Sequence, residues 1–318
     1  MLKRFVCMVI AAVMCCGMLG GCQKEEDAVI TRVEKTAFSV PGVVTGELNP
    51  FFAEQAGDRS ILSLIVEHFV SDKGVATFTD EITEDGMLKV TVSVSQSIQC
   101  SDKTGLFAVD FMYAVQLVCD PTYDGPYTEL AKSSLVGLAD FRSGQSKSIE
   151  GLHKVNSYTC TLLFSDVEED YLSLLDLPAV RTHNYGEYEY GKCSWNDITY
   201  KYVPVVATDV MCIDNNVPLD GKMVNLKYNE RYHGTVVKGA KCTVRYVRDE
   251  DVALNLRLGQ LTYGFMFDKS LAKSEAEKYG FTIVLLADCA LLSRKAVTGI
   301  SETHTINDAL SILATKIA

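Results

Sequence analysis

The residues with the clearest potential for molecular recognition are aromatic and amide side chains near a proline. The run Leu48-Asn49-Pro50-Phe51-Phe52 places an amide and two adjacent phenyl rings around one turn. An Asn before Pro favours an extended or turn geometry, and aromatic rings offer large contact surfaces. We therefore predict ligand-binding roles for Asn49, Phe51 and Phe52. The alternative is that both phenylalanines belong to the core, where aromatic residues are commonly buried.

A second aromatic group lies in a polar stretch later in the chain. It contains Tyr185, Tyr188, Tyr190, Trp195 and Tyr200 among Asn and Asp residues. Aromatic side chains combined with a few polar groups are typical of a peptide-binding cleft. We predict Tyr185, Tyr188 and Trp195 as ligand-binding residues, although a folded surface loop explains the pattern equally well.

No motif indicates catalysis or metal binding. The five histidines are scattered, and no G-x-S-x-G elbow or phosphate-binding glycine loop occurs. The seven cysteines that follow Cys22 form no close C-x-x-C pair, and several lie in apolar patterns typical of small buried side chains. We expect no enzyme, no catalytic residue, no metal site and no cofactor.

The N-terminus has the pattern of an export signal. Lys3 and Arg4 precede an apolar run over residues 5–19, and Gly20-Gly21-Cys22 places small residues before a cysteine. This order predicts a lipoprotein signal peptide over residues 1–21, lipidation of Cys22 and a polar tether over residues 22–35. With the lipid anchor we expect the protein on the outer face of the cytoplasmic membrane. An uncleaved anchor or an ordinary signal peptide is the alternative, and either keeps the protein outside the cytoplasm.

Composition sets wider limits. The 318 residues are 47% hydrophobic and 22% charged, enough for a large core in one domain or two. The formal charge of −11 is unfavourable for contact with a phosphate backbone, so we expect no nucleic-acid partner.

The middle of the chain contains a strand and a helix that have to position the candidate residues. Leu88, Val90, Val92 and Val94 alternate with polar residues, which predicts a strand with one buried face. Apolar residues then recur at helical spacing until Asp120-Pro121 ends the run: Phe107, Phe111, Ala114, Val115 and Val118.

Other elements are predicted nearer the two ends. Asp58 is expected to cap a helix with an apolar face formed by Ile61, Leu62, Ile65, Val66 and Phe69. Towards the C-terminus we predict a helix over 271–279, a buried strand over 281–287 and a last helix with the stripe Ile306, Ala309, Leu310, Leu313 and Ile317.

Five segments, in this order, resemble motifs of the family 5 extracytoplasmic solute-binding proteins, the peptide-binding subunits of ABC importers. They are Leu48-Asn49-Pro50, Cys100-Ser101-Asp102-Lys103, Ala108-Val109-Asp110-Phe111, the hairpin over 149–159 and the strand and turn over 225–232. In the family, Phe-Ser-Asp-Gly stands where this chain has Cys100 to Lys103. The glycine-rich loop of the family is not conserved in Val206-Ala207-Thr208-Asp209-Val210.

The resemblance implies an α/β fold, namely a mixed-sheet lobe with flanking helices, like one lobe of a type II periplasmic binding protein. The lobe would span residues 36–268, and the α/β tail over 269–318 would align with the opening of a second lobe that is otherwise largely absent. The implied function is a lipid-anchored subunit that captures oligopeptides, with a peptide ligand, an ABC permease and the membrane as partners. The alternative is a diverged surface lipoprotein with a protein-interaction role and no transport.

Overall fold

The structure, a computed structural model, describes residues 36–70, 74–168, 171–182, 188–197, 206–214, 223–234 and 241–316. The predicted signal peptide, the lipidation site Cys22, the tether and the candidate Tyr185 lie outside these residues.

A seven-stranded mixed sheet forms the centre of the molecule. Its strands are β1 (Thr36–Val40), β6 (Met211–Ile213), β7 (Met223–Tyr228), β8 (Lys241–Tyr246), β9 (Tyr263–Met266), β10 (Thr282–Leu285) and β11 (Ala290–Ser293), in the spatial order β10-β11-β9-β1-β8-β7-β6. Strand β1 pairs in parallel with β8 and β9, and the other neighbours are antiparallel. The first strand of the lobe is therefore central, between strands that come more than 200 residues later in the chain.

A separate antiparallel sheet of four strands has the order β2-β3-β5-β4. Its members are β2 (Ala76–Ile82), β3 (Leu88–Val94), β4 (Leu152–Lys154) and β5 (Thr159–Phe164). The alternation predicted for residues 88–94 is confirmed, because Leu88, Val90, Val92 and Val94 are buried and the residues between them are partly exposed. The predicted hairpin corresponds to β4 and β5, which pair from Leu152 opposite Leu162.

Seven α-helices are described, together with a 3₁₀ turn over Thr128–Lys132. They are α1 (Ala56–Leu62), α2 (Ala108–Cys119), α3 (Leu138–Ser143), α4 (Leu172–Leu175), α5 (Asp249–Arg257), α6 (Lys269–Tyr279) and α7 (Ile306–Thr315). Helix α2 ends at Asp120-Pro121 as predicted, because the ring of a proline disfavours helical geometry at the residue before it. Among the described residues, no helix is long and apolar enough to span a membrane.

Two hydrophobic clusters cover opposite faces of the large sheet. Along β9, Phe265 belongs to the main cluster and Met266 to a smaller one beneath α5 and α6. Along β11, Leu291 faces the main cluster while Ala290 and Leu292 face the smaller one. This is the period of two that strand geometry requires when a sheet is covered on both sides.

The helix predicted from Asp58 is shorter than expected and is capped differently. Helix α1 begins at Ala56 and ends at Leu62, so Ile65, Val66 and Phe69 lie beyond it. The carbonyl groups of Leu64 and Ile65 accept hydrogen bonds from residues 208–211 instead of continuing the helix. Asp58 is not the cap, because its buried carboxylate accepts hydrogen bonds from the Thr45 and Gly46 amides at 3.1 Å and fixes the loop before Leu48.

Residues 269–316 continue the same sheet and core as the preceding residues. Helix α6 ends at Gly280, whose φ of 70° is the left-handed geometry that glycine adopts without strain. The strand predicted over 281–287 is confirmed over Thr282–Leu285 but is only half-buried, because β10 is the edge of the sheet. Helix α7 buries Ile306, Ala309, Leu310 and Leu313 in the main cluster, which confirms four positions of its predicted stripe; the fifth, Ile317, lies outside the described residues.

Candidate functional site

The residues after α2 form a turn, Asp120 to Asp124, that fastens two distant parts of the chain. Asp120 is buried, and its carboxylate accepts hydrogen bonds from the Thr122 amide at 2.9 Å and the Thr122 hydroxyl at 2.6 Å. Its other oxygen accepts from the Tyr188 hydroxyl at 2.6 Å and the Gly191 amide at 3.0 Å. Burial opposes ionisation, but these hydrogen bonds outweigh it and hold the pKa of Asp120 below its ordinary value.

The same turn holds the segment that carries Trp195. The Thr122 hydroxyl accepts a hydrogen bond from the Cys193 amide at 2.9 Å, and the Asp124 carboxylate accepts one from the Trp195 amide at 2.7 Å. The described residues 188–197 are therefore docked by backbone and side-chain bonds along their whole length.

Tyr123 connects this turn to the loop with the first three candidates. Its hydroxyl donates to the carbonyl oxygen of Phe51. Gly125 permits this contact, because a Cβ atom there would lie 2.3 Å from the Tyr123 hydroxyl and 2.4 Å from the Phe51 carbonyl oxygen. A side chain at position 125 therefore cannot coexist with the hydrogen bond.

The side chains of Asn49, Phe51 and Phe52 face inward. Phe51 is fully buried and belongs to the main cluster, in agreement with the alternative prediction that it is a core residue. Its ring therefore has no surface to offer a ligand in this conformation. The Asn49 side chain accepts a hydrogen bond from the Phe51 amide at 3.0 Å and stabilises the turn, as expected for Asn at such a position. The Nδ2 atom of Asn49 is buried and has no hydrogen-bond partner.

The structure brings two of the predicted aromatic side chains together and separates a third. The rings of Phe52, Tyr123 and Trp195 form one aromatic cluster, with Phe52 5.2 Å from Tyr123 and 5.5 Å from Trp195 between ring centroids. Tyr188 instead packs against Tyr113 and Phe141 beside α2 and α3. Burial and the hydrogen bond to Asp120 raise the pKa of Tyr188, so its hydroxyl stays protonated and acts as a donor within the fold.

A groove of about 310 Å³ opens next to the aromatic cluster. Apolar side chains form most of its walls, and Arg59, Ser63, His68, Tyr127 and Asn307 provide polar groups. The walls come from the loop after Asn49, from α1, from Pro126-Tyr127 and from the first turn of α7; the complete lining is Pro50, Ala53, Arg59, Leu62, Ser63, Val66, His68, Pro126, Tyr127, Pro178 and Asn307.

Sequence reasoning did not identify this groove. Asn49 and Phe51 flank its wall residue Pro50, and neither of these two predicted residues lines the groove itself. Arg59 was a usable signal, because it is a basic residue just before the predicted apolar stripe that begins at Ile61. The Asn307 contribution could not be predicted, since it depends on how α7 packs against α1.

Arg59 and the contact between His68 and Asp176 determine the electrostatics of the groove. His68 Nδ1 lies 2.7 Å from Asp176 Oδ1, and both side chains are about half exposed. Burial raises the pKa of Tyr127 to about 12, with the charges of Asp176 and Arg59 acting on it in opposite directions. Tyr127 is therefore a neutral hydroxyl at neutral pH, located within the fields of one anion and one cation.

A wider depression of about 710 Å³ lies beside α3 and differs in its lining. It is formed by Met87, Ala131, Ser133, Ser134, Leu135, Val136, Gly137, Leu138, Ala139, Arg142 and Ser165. It contains no aromatic side chain, and its polar side chains are Arg142 and three serines.

The motif residues that resemble the solute-binding family have structural roles. The buried carboxylate of Asp110 accepts hydrogen bonds from Arg181 and from the Phe107 and Thr182 amides, at 2.8 to 2.9 Å. It thus holds the chain just before the segment that leads to Tyr188. Lys103, where the family motif has glycine, has φ 73°, and it is the only described non-glycine residue with a positive φ.

The described cysteines lack the features of reactive thiols. The seven cysteines after Cys22 are free, and all except Cys212 are buried, which confirms the expectation of small buried side chains for most of them. Burial raises the pKa of Cys100, Cys119 and Cys160 to about 12, so these groups are protonated at neutral pH. Within the described ranges, no three His, Cys, Asp or Glu side chains are arranged to hold a metal ion.

Comparison with solved structures defines the fold class. No protein-family model and no curated protein sequence matches the chain. The mixed α/β arrangement with two sheets and flanking helices resembles one lobe of type II periplasmic binding proteins, as the sequence motifs predicted.

The particular structures that it resembles are family 5 solute-binding proteins. Lactococcal OppA with an endogenous peptide in the closed conformation matches with a TM-score of 0.60 and 15% identity over 79% of this chain and 48% of that one. The pheromone receptor PrgZ matches with a TM-score of 0.61 and 19% identity over 80% of this chain and 51% of that one. Haemophilus influenzae OppA in complex with RPPGFSPFR matches with a TM-score of 0.59 and 17% identity over 80% of this chain and 51% of that one. The chain thus spans about half the length of these proteins, and the likeness is one of fold.

Proposed function

We propose that the protein is a lipid-anchored, extracytoplasmic substrate-binding protein that captures peptides for an ABC importer. The observation that carries this proposal is the groove between the loop after Asn49, helix α1 and helix α7. It combines apolar walls with a few convergent polar groups, which is the usual composition of a ligand site. The peptides named with the similar solved structures point to the same class of ligand.

The groove size limits how much of a ligand it holds. Its volume of about 310 Å³ is at the lower end of the range for small-molecule sites, roughly 300–1,000 Å³. It therefore accommodates one end or a short part of a peptide, and the remaining ligand residues would lie outside it.

Native mass spectrometry on the full chain in mild detergent, mixed with a pool of short peptides, tests this function. We expect discrete complexes with one peptide per chain. The chain contains a single tryptophan, Trp195, in contact with Phe52, so peptide binding next to it should also change the intrinsic fluorescence. A folded chain that remains empty across the pool would contradict peptide binding.

A matched pair of variants locates the site. Asn307→Trp fills the groove from its rim on α7, and Ser274→Trp adds the same bulk to an exposed position on α6 outside the groove. We expect Asn307→Trp to abolish peptide complexes and Ser274→Trp to leave them unchanged. Equal binding by both variants would place the peptide elsewhere on the molecule.

The membrane anchor is a separate part of the proposal, supported by the order of charged, apolar and small residues before Cys22. Metabolic labelling with a radioactive fatty acid should mark the wild-type protein and Cys16→Ser, and should fail to mark Cys22→Ser. Labelling of all three would mean that Cys22 is not the lipidated residue. The permease partner follows from the importer role and shares its tests.

A second candidate function is that of a surface lipoprotein that associates with a second copy of itself and transports nothing. The observation that favours it is a set of exposed apolar side chains at the ends of adjacent parallel strands, Val43, Tyr246 and Phe267. The same mass spectra decide between the two functions, because this one predicts empty dimers and the first predicts loaded monomers.

A further inference from the structure

Arg59 is the polar group of the groove whose charge is least compensated. Its side chain is exposed, and its Nη1 atom donates one hydrogen bond, to the carbonyl oxygen of Glu54 at 2.8 Å. It forms no salt bridge within the described part of the chain, whereas Arg181 and Arg248 both pair with carboxylates. The guanidinium retains further donors that face solvent at the groove.

The other ionisable groups at the groove contact each other. His68 Nδ1 lies 2.7 Å from Asp176 Oδ1, so the Asp176 carboxylate already has a hydrogen-bond partner. The remaining lining is apolar apart from neutral groups on Ser63, Tyr127 and Asn307. Arg59 therefore places the formal positive charge of a guanidinium in the groove of a chain with formal charge −11, and this placement does not follow from the overall composition.

Arginine is well suited to one ligand chemistry. Its planar fork matches a carboxylate with two parallel hydrogen bonds, and such charge-assisted bonds are about twice as strong as neutral ones. A ligand that packs against the apolar walls beside Arg59 would displace water and so strengthen the attraction. The Tyr127 hydroxyl, protonated at neutral pH, is an additional donor in the same groove.

We propose that Arg59 binds a carboxylate group of the ligand, so that the groove selects peptides by their C-terminal carboxylate or by an acidic side chain. This inference rests on the proposed peptide-binding function and adds the ligand class to it. The groove takes only part of a peptide, and the part that it takes is the anionic one.

Four synthetic peptides separate the two possible sources of the carboxylate. They are Ala-Ala-Leu-Ala-Ala as the free acid, the same peptide as the C-terminal amide, and two amides in which the last alanine is replaced by Glu or by Gln. We expect the wild-type chain to bind the free acid about tenfold more tightly than its amide, or the Glu amide about tenfold more tightly than the Gln amide, as measured by titration calorimetry on the full chain. Preference in the first pair identifies the C-terminus, and preference in the second identifies an acidic side chain.

Two variants test the residue itself. Arg59→Gln should remove the preference by lowering the affinity for the peptide with the carboxylate alone, and Arg59→Lys should restore part of it because the charge returns without the planar fork. High salt should reduce the preference of the wild type within each pair of peptides.

The failure of this inference can be told apart from failure of the function. If the wild-type chain binds all four peptides equally, or if Arg59→Gln keeps the preference, the carboxylate assignment is wrong while peptide binding stands. If no peptide binds at all, the proposed function is wrong, and the inference is overturned with it.

Discussion

The aromatic cluster and the groove share one loop but use their polar groups in opposite ways. Around the aromatic cluster, the carboxylate of Asp120 has four internal hydrogen bonds, and the hydroxyl groups of Tyr123 and Tyr188 each donate within the chain. In the groove, Arg59 has one backbone partner and faces solvent. A region whose hydrogen bonds are all made internally stabilises the fold, whereas a region that retains unpaired donors can bind something else.

This difference assigns distinct roles to neighbouring residues of one loop. Phe51 and Phe52 pack inward and support the wall from behind, while Pro50 and Ala53 line the groove. Substitutions around the aromatic cluster should therefore change stability, and substitutions in the groove should change binding with little effect on stability.

The largest expected loss of stability comes from Gly125→Ala. The new Cβ would lie 2.3 Å from the Tyr123 hydroxyl and 2.4 Å from the Phe51 carbonyl oxygen, so the hydrogen bond between them must break. Overpacking and a lost buried hydrogen bond together should lower the free energy of unfolding by about 2–4 kcal/mol. Urea unfolding monitored by circular dichroism measures the change.

Gly105→Ala is the matched control for that substitution. Its Cβ would have no neighbour closer than 3.8 Å, and Gly105 does not have a positive φ. We expect unchanged stability or a slight gain. An equal loss in both variants would show that the contact at Gly125 is not the cause.

Tyr188→Phe should have the next largest effect. It removes the hydroxyl that donates to the Asp120 carboxylate at 2.6 Å, and hydrogen bonds to charged groups contribute about 1.5–3 kcal/mol. Tyr190→Phe removes a bond of similar length, 2.7 Å, to the neutral carbonyl oxygen of Phe141 and should cost only about 0.5–1.5 kcal/mol. Equal costs in thermal or urea unfolding would mean that the charge on Asp120 does not strengthen its bond.

The pH dependence of stability provides a further test of Asp120. Its pKa is lower in the folded chain than in the unfolded chain, so its ionised form stabilises the fold above the unfolded value and this contribution is lost as the pH falls towards the folded pKa. Asp120→Asn lacks a titrating group there. The difference in unfolding free energy between wild type and this variant should therefore shrink from pH 7 to pH 3, and a constant difference would contradict the assignment.

The sequence predicted those parts of the fold that depend on local patterns. Alternation over 88–94, helical spacing before Asp120-Pro121 and the glycine after Tyr279 each correspond to an observed element, because each is decided by neighbouring residues. The length of α1 was not predictable in this way, since it ends where residues 208–211 bind the Leu64 and Ile65 carbonyl groups. The groove depends in the same manner on contacts distant in sequence, between α1, Pro126-Tyr127 and α7.

Lys103→Gly should produce a small gain in stability. Lys103 has φ 73°, a geometry that costs an L-residue about 1–2 kcal/mol, and glycine relieves this strain but has a larger loss of backbone entropy on folding. The expected net gain is about 0.5–1 kcal/mol. Lys103→Ala removes the same side chain but keeps the strain, so it should show no gain; a gain in both variants would indicate that the charge of Lys103 is the cause.

The smallest expected change in stability is that of Arg59→Gln, and it tests most directly whether the groove and the aromatic cluster differ. Surface substitutions away from buried networks change the unfolding free energy by no more than about 0.5 kcal/mol, and Arg59 forms only one hydrogen bond in the fold. Unfolding in urea should therefore be almost unchanged in this variant. If Arg59→Gln instead destabilised the protein as much as Tyr188→Phe, the guanidinium would be a structural group like Asp120, and the groove would lose the feature that distinguishes it from the aromatic cluster.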